Sequence, residues 1–198
     1  MENIYHRYLN LPFEIRKYPM FDLQPKKMRH QDITGYIDKN VLNLHKDLGL
    51  SIIHTEIFYT PPGGSIPIHT DEKRFDNHVK VNVSWGPEQG RTRWWQSNKT
   101  KVVTDRQTAQ DMLDLHDEDQ FSTRDHTGLL AKNEDCTLVW EANTNRPSLV
   151  NVGQLHDTYS PLDGGRWTLC FVPGNKNGSD YVYWDEALEI YKDYIVGE

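Results

Sequence analysis

Residues 148–172 read SLVNVGQLHDTYSPLDGGRWTLCFV, and this segment is the best indicator of the fold. Its runs SLVNV and RWTLCFV are rich in β-branched and aromatic residues, and the turn sequence LDGG precedes the second run, as expected of β-strands. Six more runs of this kind lie upstream between turn clusters such as PPGG and PEQG: SIIHTEIFY, SIPIHTD, HVKVNVSW, RTRWWQ, KVVT and CTLVWEA. Eight short strands predict a mainly β fold, either a barrel or a sandwich.

Helices are expected on both sides of the strands. Apolar residues recur every three or four positions from Ile33 to Leu48, and Asp32 is placed to cap the resulting amphipathic helix. Residues 179–196 predict a C-terminal helix, and residues 105–120 predict a short surface helix inserted between strands. The order of these elements favours a jelly-roll, cupin-like β core with flanking helices at its N- and C-terminal sides.

The size and composition of the chain limit its class. With 198 residues, no internal repeat and no linker, residues 1–198 are expected to form a single domain. The net charge of −7 disfavours duplex nucleic acid as a partner. No apolar run approaches the ~18 residues that cross a bilayer, and residues 1–19 lack a signal-peptide core, which predicts a cytoplasmic protein with no membrane partner. Cys136 and Cys170 fit small buried thiols in a reducing compartment.

Four histidines have a carboxylate two positions later and could bind a metal ion with it: His45/Asp47, His54/Glu56, His69/Asp71 and His116/Glu118. Side chains two residues apart share a face on a strand but diverge on a helix. The first and last pairs lie in predicted helices, so His45 and His116 are expected to be surface residues. The pair of His54 and Glu56, on a predicted strand, is a weak alternative site.

The pair of His69 and Asp71 has the most favourable surroundings. It follows a strand and the turn sequence PPGGSIP, so it is expected at a strand edge that opens on a cavity. A third ligand is expected from a distant strand, and His156 is the candidate because Arg166 and Thr168 follow it at the start of the next strand. Arg166 and Thr168 share one face of that strand, and a guanidinium beside a hydroxyl suits a carboxylate.

Two histidines and one carboxylate on one face of an ion form the facial triad of non-haem iron(II) oxygenases. The sequence H-T-D at 69–71, His156 and R-W-T at 166–168 together resemble the motif of the Fe(II)/2-oxoglutarate-dependent dioxygenase superfamily. The resemblance spans Tyr59 to Val172, and the expected strand order agrees with the double-stranded β-helix of that superfamily. More narrowly, PPGGSIPIHTD, HVKVNV and LVNVGQLHDTYSPLDGGRWTL resemble the aspartyl/asparaginyl-hydroxylase-like and phage-encoded members.

The resemblance implies a role for each residue of the motif. His69, Asp71 and His156 would bind Fe(II). Arg166 and Thr168 would anchor the distal carboxylate of the co-substrate, 2-oxoglutarate. The implied reaction consumes dioxygen and couples decarboxylation of 2-oxoglutarate to succinate with hydroxylation of a C–H bond in a small-molecule or peptide substrate.

Two further positions follow from the narrower resemblance. Lys80 and Asn82 match positions that contact the carboxylate beside the metal in hydroxylase-like members. The chain departs from those members at Asp71, where some have a non-ligating glycine, and in a longer insert between Asp71 and His156. The substrate is therefore not carried over from them. A phage-encoded member would act in the cytoplasm of its host cell.

Two other classes stay open: a metal-binding cupin that acts as a dioxygenase or isomerase without 2-oxoglutarate, and a non-catalytic β-sandwich binding module. Trp85, Trp94 and Trp95, with Arg91 and Arg93 interleaved, could stack a substrate ring. Core packing is the favoured interpretation for at least two of these tryptophans.

Other polar residues are expected to be structural or exposed. His54, His78 and His126 belong to this group. The acidic stretch from Asp111 to Asp119 is expected to be the solvated face of a helix rather than a cation site.

Overall fold

The strands wind between two sheets in a computed structural model that describes residues 3–16, 29–71, 78–103 and 128–197. Two α-helices are present in these ranges, α1 (Lys39–Asp47) and α2 (Trp184–Ile190), with 3-10 turns at Thr34–Tyr36 and Asn133–Asp135. The strands in the same ranges are β1 (His6–Tyr8), β2 (Arg29–Asp32), β3 (Ser51–Thr60), β4 (Ile68–His69), β5 (Val79–Trp85), β6 (Arg91–Gln96), β7 (Thr100–Val103), β8 (Gly128–Ala131), β9 (Thr137–Ala142), β10 (Ser148–Asn151), β11 (His156–Tyr159) and β12 (Arg166–Gly174).

The strand order identifies the architecture. The first sheet has the order β1-β10-β5-β12-β3-β2 and the second has the order β7-β8-β4-β11-β6-β9. The chain alternates between the two antiparallel sheets from β3 to β6, and it does so again from β9 to β12. This winding is a double-stranded β-helix, so the expected jelly-roll, cupin-like core is confirmed. Neither α1 nor α2 is long and apolar enough to cross a membrane.

The outer face of the first sheet carries the main apolar core. On β5 the valines at 79, 81 and 83 point to this side, because alternate residues of a strand face opposite ways. They pack with Leu169 and Phe171 of β12 and with apolar residues of both helices. The two helices therefore cover this face, as expected of flanking elements.

The inner face of the first sheet is buried but polar. Lys80, Asn82 and Ser84 alternate with the valines of β5, and Arg166 and Thr168 lie on the same side of the neighbouring strand β12. We call these five residues the polar wall. The wall faces the second sheet, since its side chains reach residues there. Buried polar groups cost stability unless they are paired, so such a wall indicates a binding site.

The first helix begins later than the hydrophobic spacing predicts. Asp38, not Asp32, caps α1 by accepting a hydrogen bond from the Asn40 N–H at 2.8 Å. Asp32 ends β2 and accepts from the Thr34 N–H at 2.9 Å, which holds the 3-10 turn. Ile33 is buried, but it lies at the start of this turn and not in a helix. Its N–H donates a hydrogen bond to the Thr55 carbonyl of β3.

Other elements differ in length or were not anticipated. The C-terminal helix covers 184–190 rather than 179–196, and the strand expected over 65–71 is reduced to Ile68–His69. Strands β1, β2, β8 and β11 carry no clear strand signal, and β1 and β11, with sequences HRY and HDTY, are largely polar. The predicted helix at 105–120, the acidic stretch within it, His116 and His126 lie outside the described residues.

The expectation that His45 is a surface residue is wrong. Its side chain is buried between the helices, where Nδ1 lies 2.8 Å from the Val41 carbonyl and Nε2 lies 2.9 Å from the Tyr191 hydroxyl. A neutral imidazole satisfies both contacts by donating from Nδ1 and accepting at Nε2. Burial lowers the pKa of His45 from 6.5, while the hydrogen bond to Val41 opposes this shift.

We expect His45 to make the protein less stable in mild acid. Below pH ~6.5 the unfolded chain binds a proton at this residue that the folded chain does not, so the free energy of unfolding falls as pH falls, until the pH reaches the lowered pKa of the folded state. Urea unfolding between pH 7.5 and 5.5 should show a shallower pH dependence in His45→Gln than in the wild type. Identical slopes would contradict this role.

Candidate metal centre and anion site

The second sheet brings His69 and His156 together with Asp71. His156 of β11 is the register partner of His69 on β4, so the two imidazoles lie on one face with ring centroids 4.6 Å apart. Asp71 follows β4, and its Oδ1 lies 3.0 Å from His69 Nε2 and 3.8 Å from His156 Nε2. The three potential ligand atoms all lie within 4.8 Å of one another, which is the only such group of His, Cys, Asp or Glu among the described residues.

Backbone hydrogen bonds set the tautomers of both histidines. His69 Nδ1 lies 2.7 Å from the Pro67 carbonyl, and His156 Nδ1 lies 2.9 Å from the Gln154 carbonyl. Each Nδ1 must donate to its carbonyl, so Nε2 is the ring nitrogen that each histidine directs towards Asp71 Oδ1. Two atoms 3.0 Å apart, as His69 Nε2 and Asp71 Oδ1 are, need a proton or a metal ion between them. Two imidazoles and a carboxylate are a donor set that fits a divalent metal ion.

Hydrogen bonds to neighbouring segments hold the residues that follow His69 in place. Thr70, between His69 and Asp71, is buried, and its hydroxyl accepts from the Leu129 N–H at 3.0 Å. The Asp71 N–H donates to the Val152 carbonyl at 2.9 Å, which ties the end of β4 to the residue after β10. Asp71 is thereby held at the end of β4, beside the two imidazoles.

An outer ion pair holds β11 in register. Arg93 of β6 donates from Nε and Nη2 to the two oxygens of Asp157, at 2.9 and 2.6 Å. Asp157 is the neighbour of His156 and points to the opposite face, so this pair keeps the imidazole directed inward. Arg91 lies 4.0 Å from Glu141. The cluster is thus approached by neither of the arginines that were considered for substrate recognition.

The groups around Asp71 favour its ionised form. Burial opposes ionisation of Asp71, but the neighbouring Lys80 ammonium and the histidines hold its pKa well below the ordinary value. Burial, assisted by the neighbouring His69, lowers the pKa of His156 to about 4. His156 is therefore neutral at physiological pH and can donate a lone pair.

Lys80 of the polar wall contacts the cluster directly. Its Nζ lies 2.6 Å from Asp71 Oδ2 and 3.1 Å from Glu56 Oε2. Glu56 in turn lies with Oε1 3.4 Å from His54 Nε2. The pair that was the weak alternative metal site therefore lies beside Lys80. It forms no group of three potential ligands in the part of the chain that the structure describes.

A cluster of hydroxyls surrounds Arg166 at the other end of the wall. Arg166 Nη2 donates to Thr144 Oγ1 at 2.7 Å and to Thr92 Oγ1 at 3.1 Å. Ser84 Oγ lies 2.8 Å from Thr144 Oγ1 and 3.0 Å from Thr168 Oγ1. Neutral hydroxyls solvate the guanidinium but do not cancel its charge.

Arg166 is a buried cation that forms no ion pair with the residues that the structure describes. Its residue surface is 2% exposed, and burial lowers its pKa to about 10, which still leaves it protonated. Its Nη1 has no hydrogen-bond partner among the described residues. Asn82, between Lys80 and Ser84 on β5, likewise has a buried Oδ1 without a partner there. Such atoms are costly unless a ligand or water contacts them. The Arg166 N–H fits a bound anion, whereas the Asn82 oxygen needs a hydrogen-bond donor.

Strand β5 connects the two halves of the site, which are the cluster of His69, Asp71 and His156 and the surroundings of Arg166. Lys80 and Ser84 are four residues apart, a distance of about 13 Å at ~3.3 Å per residue. A cavity of about 180 Å³ adjoins the Arg166 end and is lined by Ser84, Trp85, Glu88, Asn143, Asn145 and Arg166. Gly90 leaves room for the arginine stem, because a Cβ there would lie 2.8 Å from Arg166 Cδ. A ligand between the halves needs one end that binds metal and one anionic end.

Sequence reasoning missed several members of this site. Ser84 was detectable, because it continues the alternation of Lys80 and Asn82 on β5. Thr92 and Thr144 come from β6 and from the loop after β9, and a single threonine in a strand or loop carries no signal.

The tryptophans do not form one stacking surface. Trp94 is fully buried and donates from Nε1 to the Asn151 carbonyl at 3.0 Å. Trp95 lies on the other face of β6, where its ring packs 5.2 Å from the Arg93 guanidinium. Trp85 stacks with Trp167 in the first sheet, with ring centroids 6.1 Å apart. Trp94 is fully buried, and the half-buried Trp85 and Trp95 each pack against a cluster of buried apolar residues, in line with the core interpretation.

Comparison with known proteins leaves the family open. No family model and no curated protein matches the chain. Among solved structures, the non-heme monooxygenase ThoJ in complex with nickel is 17% identical, with a TM-score of 0.33 over 67% of this chain and 49% of that one. Peruvianin-I, a cysteine peptidase from Thevetia peruviana latex, is 11% identical, with a TM-score of 0.35 over 90% of this chain and 94% of that one.

A further match is YcfD, a ribosomal oxygenase from Escherichia coli in complex with cobalt and 2-oxoglutarate. It is 12% identical, with a TM-score of 0.33 over 89% of this chain and 42% of that one. The chain thus spans less than half the length of ThoJ and of YcfD. Matches with TM-scores this low, a peptidase among them, do not decide between functions.

We expect Arg166→Met to stabilise the protein in anion-free buffer, since it removes an uncompensated buried charge. The gain in the free energy of unfolding should be about 1–3 kcal/mol, measured by urea denaturation. Arg93→Met is the matched control, because it leaves the buried Asp157 carboxylate without its partner and should cost about 3–5 kcal/mol. A comparable loss from both variants would show that Arg166 is a structural cation.

Proposed function

We propose that the chain is an Fe(II)- and 2-oxoglutarate-dependent oxygenase that hydroxylates a small-molecule or peptide substrate. The observation that carries this proposal is the uncompensated Arg166 guanidinium on the same buried wall that reaches the His69, Asp71 and His156 cluster. A metal site without a keto acid has no need of a distant buried cation. A non-catalytic β-sandwich binding module has no need of the cluster of two histidines and a carboxylate.

The charges of the polar wall and of the two acidic residues beside it also support joint binding of a metal and a dianion. Asp71 and Glu56 carry two negative charges, and Lys80 and Arg166 carry two positive ones. These four charges cancel, and Glu88, which also lines the cavity, is exposed to solvent. A divalent cation alone would therefore leave the buried groups with an excess of two positive charges. A dicarboxylate restores neutrality, which makes the binding of each ligand favour the binding of the other.

Each group then has a defined task. His69 and His156 would donate Nε2 to the metal, and Asp71 would donate Oδ1. Arg166 Nη1 and the Thr168 hydroxyl would bind the distal carboxylate of 2-oxoglutarate. When bound, the iron and the keto acid would supply the oxidising power that couples decarboxylation to succinate with C–H hydroxylation.

The remaining groups of the wall orient the co-substrate. Asn82 lies between Lys80 and Ser84 on β5, and its Oδ1 could accept a hydrogen bond from an ordered water. Lys80 supplies positive charge beside the keto-acid end. The hydroxyls of Thr92 and Thr144 hold Arg166 Nη2, so that Nη1 is the edge left for the carboxylate.

Anaerobic calorimetry with Mn²⁺, followed by 2-oxoglutarate, tests this proposal. His69→Ala should abolish metal binding, because two donors rarely hold a divalent ion. Arg166→Met should keep Mn²⁺ affinity but weaken 2-oxoglutarate roughly 10- to 100-fold, the value of a charged hydrogen bond. Arg7→Met, which alters an arginine that lies over the Trp184 ring outside the cavity, is the control and should change neither affinity.

The keto acid 2-oxobutyrate, which lacks the distal carboxylate, sharpens the test. The wild type should prefer 2-oxoglutarate to 2-oxobutyrate, and Arg166→Met should lose that preference. Binding of Mn²⁺ without either keto acid would instead support a cupin-type dioxygenase or isomerase. Failure to bind Mn²⁺ would support the non-catalytic binding module. If both ligands bind, release of succinate measured against pools of amino acids and peptides identifies the substrate.

A further inference from the structure

The two oxygens of Asp71 have different partners. Oδ1 faces the imidazoles of His69 and His156, at 3.0 and 3.8 Å. Oδ2 lies 2.6 Å from Lys80 Nζ. A charged hydrogen bond this short holds the carboxylate in one orientation. Only Oδ1 is therefore presented to the space between the imidazoles.

Glu56 fixes the position of the ammonium. Lys80 Nζ also lies 3.1 Å from Glu56 Oε2, and its stem passes over Phe58, with Nζ 5.8 Å from the ring centroid. Glu56 and Lys80 belong to β3 and β5 of the first sheet, on either side of β12. The ammonium is thus anchored to one sheet and holds a carboxylate that comes from the other.

We infer that Lys80 limits Asp71 to binding a metal through Oδ1 alone and so acts as a positioning residue. This inference rests on the proposed function. An octahedral ion held by two imidazoles and one carboxylate oxygen has three open positions, whereas a chelating carboxylate leaves only two. Three positions accommodate a two-point keto acid together with one further small ligand. The assignment goes beyond the contact with the co-substrate carboxylate that the sequence resemblance implies for Lys80.

The double variant Lys80→Met/Glu56→Gln separates geometry from charge. It removes one positive and one negative charge, so the net charge of the cavity is unchanged, while Asp71 Oδ2 loses its partner. Replacement of buried ion pairs by neutral side chains is often tolerated. Circular dichroism and urea unfolding establish that the variant is folded. Glu56→Gln alone is the control, because it leaves Lys80 on Asp71.

The readout is the number of exchangeable waters on bound Mn²⁺, measured by water-proton relaxation without co-substrate. The wild type and Glu56→Gln should show three waters, and the double variant should show two. Lys80→Arg, which keeps a cationic donor and is the safer variant for folding, should retain three. With 2-oxoglutarate added, the double variant should bind it at least about tenfold more weakly.

The outcomes separate this inference from the proposed function. A double variant with three waters would overturn the role of Lys80 while leaving the metal site intact. A weaker 2-oxoglutarate affinity with an unchanged water count would show that Lys80 contacts only the co-substrate, which also overturns it. A wild type that binds no Mn²⁺ would overturn both the proposed function and this inference.

Discussion

The register between β4 and β11 is the constraint on which the candidate site depends. It sets His156 opposite His69, and a slip of one residue would turn Asp157 inward and the imidazole outward. The bidentate pair of Arg93 and Asp157 opposes such a slip, because it joins β11 to β6 on the outer face. An ion pair with a buried carboxylate on the outer face thus stabilises the arrangement of candidate ligands on the inner face.

The outer face of the first sheet stabilises the fold, and its inner face carries the candidate binding residues. Valines and other apolar residues on the outer face pack against the helices, and this burial stabilises the fold. The inner face carries Lys80, Asn82 and Arg166, whose burial opposes folding. Sites for ligands are commonly regions where the protein departs from its own stability optimum. The orphaned atoms on this wall are such a departure.

Much of the fold and part of the site could be predicted from the sequence, because both depend on period-two alternation. Strands β3, β5, β6 and β12 have long alternating or β-branched runs and were predicted almost to the residue. His69, Asp71 and His156 meet as expected, and Arg166 is buried on the wall that reaches them. Their roles as ligands remain predictions.

What the sequence did not reveal depends on tertiary contacts. The contact of Glu56 with Lys80 joins two strands separated by β12, and no local pattern encodes it. His45 lies in a polar helix segment, and it is buried only because Tyr191 offers it a hydroxyl. The start of α1 was misplaced because Asp32 and Asp38 are equally good caps, and the backbone bond from Ile33 to β3 decides between them.

The contact of Lys80 with Asp71 bears on whether the chain folds before or after it binds a metal. Small zinc domains remain unfolded until they acquire their metal, since nothing else neutralises their ligands. Here an internal ammonium already satisfies the ligand carboxylate and links the two sheets. The polypeptide can therefore reach its native shape before it meets an ion, and loading can follow whenever the surrounding supply of metal permits.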